Sequence, residues 1–132
     1  MRLIAWIDGG GDDSTADTPA YIGVVVKEEE TGETLWKRGV GIGNATQHAA
    51  EYVAVLTAIQ YAIENRATRL LIKSDSRTAV HQINREWRCK APALAEYREQ
   101  VYKATEGMEF QIELIPREEN KEADALTWLP RQ

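Results

Sequence analysis

The order in which hydrophobic patterns follow one another constrains the fold of this 132-residue chain more than any single motif. Two apolar stretches, YIGVVVK at 21–27 and TLWKRGVGI at 34–42, flank a charged segment that ends in Gly32. This pair predicts an antiparallel hairpin with a tight turn. The longest helical pattern covers 46–64, and strand and helix patterns alternate after it. A hairpin followed by such alternation predicts an α/β fold, with helices covering one mixed sheet.

The remaining elements follow from residue periodicity and from residues typical of caps and turns. Further strands are predicted at 2–7, 70–73 and 109–115, and further helices at 78–85, at 93–104 and from Asn120, the expected N-cap, to just before Pro130. The three glycines at 9–11 are expected to stop the first strand, and the Asp-, Ser- and Thr-rich segment 12–19 is a predicted loop. The length predicts a single domain spanning residues 1–132.

Charge and composition limit the classes of function. The net charge of −5, from 16 basic and 21 acidic residues, is mild evidence against a nucleic-acid binder, which usually carries a basic surface. The single cysteine, Cys89, excludes an internal disulfide and fits a reducing compartment. The apolar run at the start is too short for a signal peptide, and none approaches the roughly 20 residues that span a bilayer. We therefore expect a cytoplasmic protein that does not enter a membrane.

Four carboxylates lie where a solvated surface does not fully explain them. Asp8 and Asp75 each follow an apolar strand pattern, and Asp124 lies between two alanines near the start of the last helix. Glu51 points roughly 150° away from the polar stripe of its helix, at about 100° per residue. An ionised glutamate on a core-facing side is costly unless a partner holds it.

Each of the four acids also has an ordinary structural explanation. Asp8 could start a turn, and Asp75 or its serine neighbours could cap the next helix. Glu51 and Asp124 could be first-turn acids that the helix dipole favours. If the first and fourth strands are neighbours, however, Asp8 and Asp75 converge at one edge of the sheet. Clustered carboxylates raise one another's pKa, and hard divalent cations such as Mg²⁺ relieve that repulsion.

Four segments carry a resemblance to a known family. They are AWIDGG, AAEYVAVLTAIQYAI, IKSDS with the following AVHQINREW, and PREENKEADAL, and together they span nearly the whole chain. In this order and spacing the chain resembles the ribonuclease H type 1 family, in its compact archaeal and bacterial form. The resemblance implies an α/β ribonuclease H-like fold, a five-stranded mixed sheet of order 3-2-1-4-5 flanked by helices.

The resemblance also implies a reaction and its metal ions. The expected reaction is hydrolysis of the RNA strand of RNA–DNA hybrids by two Mg²⁺ ions, with Mn²⁺ as a substitute, leaving 5′-phosphate and 3′-hydroxyl ends. The catalytic, metal-binding acids would be Asp8, Glu51, Asp75 and Asp124. Two divalent ions about 3.5–4 Å apart suit in-line displacement at phosphorus.

Substrate contacts carry over from the family residue by residue. Gly9, Gly10, Thr46 and Gln47 match positions that contact RNA 2′-hydroxyls, although many relatives have asparagine where this chain has Gln47. Asn44, Ser76 and Asn120 complete the candidate contacts, together with Arg117, which stands where longer members carry a mobile histidine. We expect Arg117 either to steady a phosphate or to form a loop salt bridge with Glu118 or Glu119.

A basic–aromatic cluster and two rival functions complete the expectations. Arg85, Arg88 and Lys90 lie close to Trp87 in the sequence. Either this cluster follows the phosphates of the DNA strand, or Trp87 plugs the core. One rival function is a related nuclease acting on double-stranded RNA or branched DNA. The other is a non-catalytic nucleic-acid-binding module. In every case a monomer is expected.

Overall fold

One mixed sheet forms the centre of the protein in the computed structural model, which describes residues 1–11 and 16–132. Its strands are β1 (Arg2–Gly11), β2 (Pro19–Glu28), β3 (Thr34–Asn44), β4 (Arg69–Ser74) and β5 (Glu109–Leu114). They lie in the order β3-β2-β1-β4-β5. The first three strands pair antiparallel, whereas β4 runs parallel to both β1 and β5. The predicted α/β fold and strand order are confirmed.

The helices begin and end close to the predicted positions. They are α1 (Gln47–Glu64), α2 (Arg77–Ile83), α3 (Pro92–Ala104) and α4 (Lys121–Trp128), with short 3₁₀ turns at Arg117–Glu119 and Leu129–Arg131. Thr46 caps α1 by accepting a hydrogen bond from the Ala49 amide at 3.1 Å. Ser76 caps α2 through the Ala79 amide at 3.3 Å. The Asp75 side chain is therefore not needed as a cap. None of the helices in the described residues is long and apolar enough to span a membrane.

The core lies mainly between the sheet and α1. Apolar residues of β1, β2 and β4 face α1, whose Tyr52, Val55 and Ile59 are buried against them. A smaller cluster on the opposite face joins Val25 to Ala123 and Leu126 of α4. Gly23 of β2 allows this second contact, because a Cβ there would overlap the Ala123 carbonyl oxygen. The alanine before Asp124 thus serves close packing of helix on sheet.

The prediction that the glycines stop the first strand was wrong. β1 continues through Gly11, and its residues Gly9 and Gly10 pair with Ile22 and Tyr21 of β2. Gly9 is required for close approach, because a Cβ there would lie 2.5 Å from the backbone nitrogen of Glu51. Asp8 consequently lies inside a strand. Of the predicted loop 12–19, residues 12–15 lie outside the described residues, and position 19 already belongs to β2.

Candidate active site

The parallel pairing of β1 with β4 brings two acids together. The last paired residues are Ile7 and Ser74, so Asp8 and Asp75 follow side by side. Glu51 reaches the same point from α1. Asp8, Glu51 and Asp75 each offer a carboxylate oxygen, and these oxygens all lie within 4.8 Å of one another. The predicted convergence of Asp8 and Asp75 is therefore observed.

Glu51 is buried on the inner side of α1, as its position on the helical wheel predicts. Glu51 is 3% exposed, and its Oε2 has no hydrogen-bond partner among the residues that the structure describes. The close contact of α1 with Gly9 places Glu51 directly beside β1. A buried carboxylate oxygen with no donor is energetically unfavourable, which indicates that the site is built for an additional positive ligand.

Asn120 holds Asp75 in place, a role that the sequence reasoning missed. Its Nδ2 donates to the backbone oxygen of Ile7 at 2.9 Å and to Asp75 Oδ2 at 3.4 Å. Asn120 does occupy the N-cap position of α4, but its side chain makes no capping bond. It is 1% exposed, which leaves it no surface for the expected substrate contact. In the sequence Asn120 is indistinguishable from an ordinary helix cap, so no signal there indicated this role.

Asp124 lines a cavity of about 260 Å³ together with Asp8 and Asp75. It lies in the first turn of α4, as one of the ordinary explanations expected, and faces this cavity. A side-chain hydrogen bond with Asp124 contributes to a raised pKa of Asp8, so the two carboxyl groups are in contact. All four acids therefore meet at one end of the sheet, with Asp124 on the solvent-facing side.

The cluster strongly disfavours negative charge on its innermost groups. Burial, then the charge of Asp75 and then contact with Asp124, raise the pKa of Asp8 from 3.8 to about 8. Burial and the charges of Asp8 and Asp75 raise the pKa of Glu51 well above its usual value. A backbone hydrogen bond from Gly9 and the positive charge of Arg117 oppose this rise at Glu51. Cations at this position would stabilise the ionised carboxylates.

The donor set fits hard divalent cations. Carboxylate oxygens from three separate chain segments converge. In the described part of the chain, the cluster contains no histidine or cysteine, and Glu51 Oε2 has no partner. Mg²⁺ and Mn²⁺ prefer oxygen ligands of this kind. The residues that would hold such ions are Asp8, Glu51, Asp75 and Asp124.

The structure separates the predicted substrate contacts into two groups. Gly9, Gly10, Gln47 and Arg117 line the cavity of the acids. Asn44, Thr46 and Ser76 do not, and their side chains bond to the backbone of this chain: Asn44 to the Asp17 oxygen, and the two hydroxyls at helix N-termini. Sequence reasoning missed Thr127, Trp128 and Arg131, which also line the cavity.

Two alternatives left open by the sequence are decided by contacts. None of the ion pairs in residues 1–11 and 16–132 includes Arg117, so the loop salt bridge with Glu118 or Glu119 is not observed. Trp87 is 47% exposed and stacks on His81 at 4.5 Å, so it does not plug the core. The basic cluster around Trp87 surrounds a separate depression of about 430 Å³.

Comparison with known proteins identifies relatives along nearly the whole chain. The profile of a family described as reverse transcriptase-like matches residues 9–128. Ribonuclease HI of Halobacterium salinarum is 29% identical over 126 residues, which is 95% of this chain and 62% of that protein. The bifunctional protein Rv2228c of Mycobacterium tuberculosis is 29% identical over 127 residues, 96% of this chain and 34% of that protein. The chain thus spans about a third to two thirds of these relatives.

Solved structures agree with the sequence matches. The crystal structure of RNase H1 from Halobacterium salinarum superposes with a TM-score of 0.88 at 28% identity, covering 96% of this chain and 94% of that one. LC11-RNase H1, solved in complex with an RNA/DNA hybrid, gives a TM-score of 0.84 at 28% identity, covering 95% and 93%. The similarity includes the sheet and the helices that carry the acids.

Proposed function

The chain belongs to the reverse transcriptase-like family, as a ribonuclease H type 1 protein, and on this premise we propose that it hydrolyses the RNA strand of RNA–DNA hybrids. The observation that carries the proposal is the meeting of Asp8, Glu51 and Asp75 within 4.8 Å, with Asp124 facing the same cavity. The reaction would be an endonucleolytic cleavage that leaves 5′-phosphate and 3′-hydroxyl ends. A relative solved with an RNA/DNA hybrid supports this substrate.

Divalent ions are part of the proposal. Two Mg²⁺ ions, or Mn²⁺ in their place, would supply activation of the attacking water and charge stabilisation at the leaving oxygen. Asp8, which interacts with both Asp75 and Asp124, would hold these ions together with Glu51 and the two other acids. The orientation of Asp75 is restrained by Asn120, whose Nδ2 donates to Asp75 Oδ2. A pure binding module gains nothing from such buried like charges.

The chain's own residues would position the substrate around these acids. Arg117 lies at the cavity without a carboxylate partner among the described residues, so its guanidinium is available to a phosphate oxygen. Arginine stays protonated, so Arg117 can bind charge but cannot shuttle a proton. Gln47 and the main chain of Gly10 face the same cavity and can contact the 2′-hydroxyl that distinguishes RNA from DNA.

The exposed cluster around Trp87 is the second substrate surface that we propose. Arg85, Arg88 and Lys90 line the same depression as the exposed Trp87 ring, and Arg98 adds a further positive charge. Cationic side chains beside an aromatic ring are typical of surfaces that follow a nucleic-acid backbone. This local basic surface, in a chain of net charge −5, would contact the DNA strand.

We also propose a cytoplasmic monomer, from the single cysteine and the sequence pattern.

A cleavage assay tests the proposal by showing which strand is cut and which metal ion the reaction needs. End-labelled RNA–DNA hybrid, duplex RNA, branched DNA and duplex DNA are each incubated with Mg²⁺, Mn²⁺ or EDTA. We expect cleavage of the RNA strand of the hybrid alone, with either metal, and none in EDTA. Chimeric strands with a few ribonucleotides within DNA then show whether the 2′-hydroxyl determines the cut.

A matched pair of variants connects the activity to the site. Asp124→Asn is expected to reduce turnover by at least about 100-fold while the protein stays folded, since it removes one charge from the cluster. Glu99→Gln removes an exposed acid of α3 and is expected to act like the wild type.

Cleavage of duplex RNA in preference to the hybrid would favour the related nuclease. Hybrid binding with no cut product in any metal would favour the non-catalytic module.

A further inference from the structure

Arg131 is held between two aromatic rings. Its guanidinium carbon lies 3.8 Å from the centre of the Trp128 ring and 4.3 Å from the centre of the Tyr21 ring. Its Nε also donates to the backbone oxygen of Thr127 at 3.0 Å. These three contacts fix the orientation of the group. A guanidinium that stacks through its faces keeps the N–H bonds at its edge available for hydrogen bonds.

The fixed guanidinium lies at the edge of the acidic cavity. Arg131 lines this cavity together with Asp8 and Asp124, and its Nη2 lies against Gly10, where a Cβ would overlap it. None of the ion pairs in the part of the chain that the structure describes includes Arg131. Within the described residues, the site therefore carries an oriented positive charge without a carboxylate partner.

A purely structural role explains these contacts less well. Stacking on Trp128 buries little, because that residue is 54% exposed. A cation–π contact at such an exposed site contributes only about 0.5–1 kcal/mol, so packing of the final 3₁₀ turn does not by itself require an arginine at position 131. Pre-orientation of a planar cation next to a cavity suits a ligand with two acceptor oxygens, as in a phosphodiester.

We propose that Arg131, clamped by Tyr21 and Trp128, binds a backbone phosphate of the nucleic acid whose scissile bond enters the acidic cavity. The inference rests on the proposed function in taking nucleic acid as the ligand. It adds a phosphate contact, beyond Arg117, on the side of the cavity formed by α4 and the end of β1. Trp128 and Tyr21 are positioning residues in this arrangement, because they act through the guanidinium.

Equilibrium binding in EDTA tests the contact without cleavage. The affinity of a fluorescein-labelled RNA–DNA hybrid is measured by anisotropy from 50 to 200 mM salt for the wild type, Arg131→Gln and Arg131→Lys. For Arg131→Gln we expect about 5- to 20-fold weaker binding and a slope of log K against log salt that is shallower by about 0.7–0.9, which corresponds to one phosphate. Arg131→Lys should keep the slope and lose part of the affinity, because an ammonium lacks the planar fork.

Controls separate the phosphate contact from a structural effect. Arg66→Gln removes an exposed arginine beyond the end of α1 and should keep both affinity and slope within error. Trp128→Ala should weaken binding and leave the slope unchanged, because the charge remains but is no longer oriented. Thermal unfolding of each variant verifies folding, and if Arg131→Gln does not fold, Arg131→Met takes its place with the same expected loss of affinity and slope.

The outcomes also separate this inference from the proposed activity. Wild-type affinity and slope in Arg131→Gln would overturn the phosphate contact, as would a loss of affinity at an unchanged slope. If the wild type binds with the steeper slope but cuts no substrate in Mg²⁺ or Mn²⁺, the catalytic proposal fails and the phosphate contact stands. If the wild type binds none of the nucleic acids, both fail.

Discussion

Replacing Asp8 by asparagine is expected to abolish turnover and, in EDTA, to stabilise the fold. Asp8 is 7% exposed, and burial with the neighbouring Asp75 and Asp124 raises its pKa from 3.8 to about 8. The folded state therefore retains a proton that the unfolded chain releases between these two values. The contribution of Asp8 to the free energy of unfolding is greatest below pH 4 and is lost as the pH rises towards 8.

The size of the effect follows from the pKa shift. The solution pH of 7 is about 3 units above the pKa of this carboxyl in the unfolded chain, where it is ionised. Keeping it protonated in the folded state therefore lowers the free energy of unfolding by about 4 kcal/mol. Asparagine cannot ionise, but its amide is also buried and needs partners, so we expect a gain of about 2–4 kcal/mol. In a domain of this size that raises the melting temperature by roughly 6–16 °C.

The assay is thermal unfolding of the wild type and Asp8→Asn in EDTA from pH 4 to pH 8.5, with Glu99→Gln as the exposed control. The difference should be small at pH 4 and largest at pH 8. Mg²⁺ should then stabilise the wild type more than the variant, because a bound cation relieves the same repulsion. An Asp8→Asn protein that melts below the wild type at pH 8 in EDTA, or a difference independent of pH, would refute this reasoning.

Three further predictions address residues around the acids. Asn120→Ala should raise the Mg²⁺ concentration for half-maximal cleavage several-fold, because Asp75 loses its Nδ2 partner; an unchanged Mg²⁺ midpoint would contradict that role. Gly23→Ala should lower the free energy of unfolding in urea by about 1–3 kcal/mol, through overpacking against α4. Gly41→Ala, whose Cβ would meet Tyr21 at an ordinary 3.5 Å, is its control, and equal midpoints for the two variants would be evidence against the close contact. Arg117→Ala should slow single-turnover cleavage about 10-fold and Arg117→Lys much less, since charge at the phosphate matters most; equal rates for Ala and wild type would exclude a substrate role.

The strands, the helices and the buried position of Glu51 could be predicted because they depend on local patterns, whereas the strand order that joins Asp8 to Asp75 was implied only by the family resemblance. A helical wheel places Glu51 on the buried side of α1, and parallel neighbouring strands bring Asp8 and Asp75 to one end of the sheet. The extent of β1 could not be predicted in this way. Glycine usually indicates a turn, but Gly9 is a strand residue here because the N-terminal part of α1 packs against it.

Side-chain contacts between residues that are far apart in the chain could not be predicted from the sequence. Asparagine is a residue type typical of helix caps, yet the Asn120 side chain donates hydrogen bonds to Ile7 and Asp75, which are 113 and 45 residues away. Arg131 acquires its place only when β2 supplies Tyr21 and α4 supplies Trp128. Arg131 lies beyond the predicted end of the last helix, so helical spacing did not place it beside Asp124.

The central claim is that the four acids hold a pair of divalent ions at one end of the sheet. Anomalous diffraction from crystals grown with Mn²⁺ and a hybrid that carries a 2′-deoxynucleotide at the cleavage position locates such ions directly. We expect two anomalous peaks about 3.5–4 Å apart, both within bonding distance of Asp8. Crystals with the hybrid bound but no peak beside Asp8, or with manganese only at surface carboxylates, would contradict the claim.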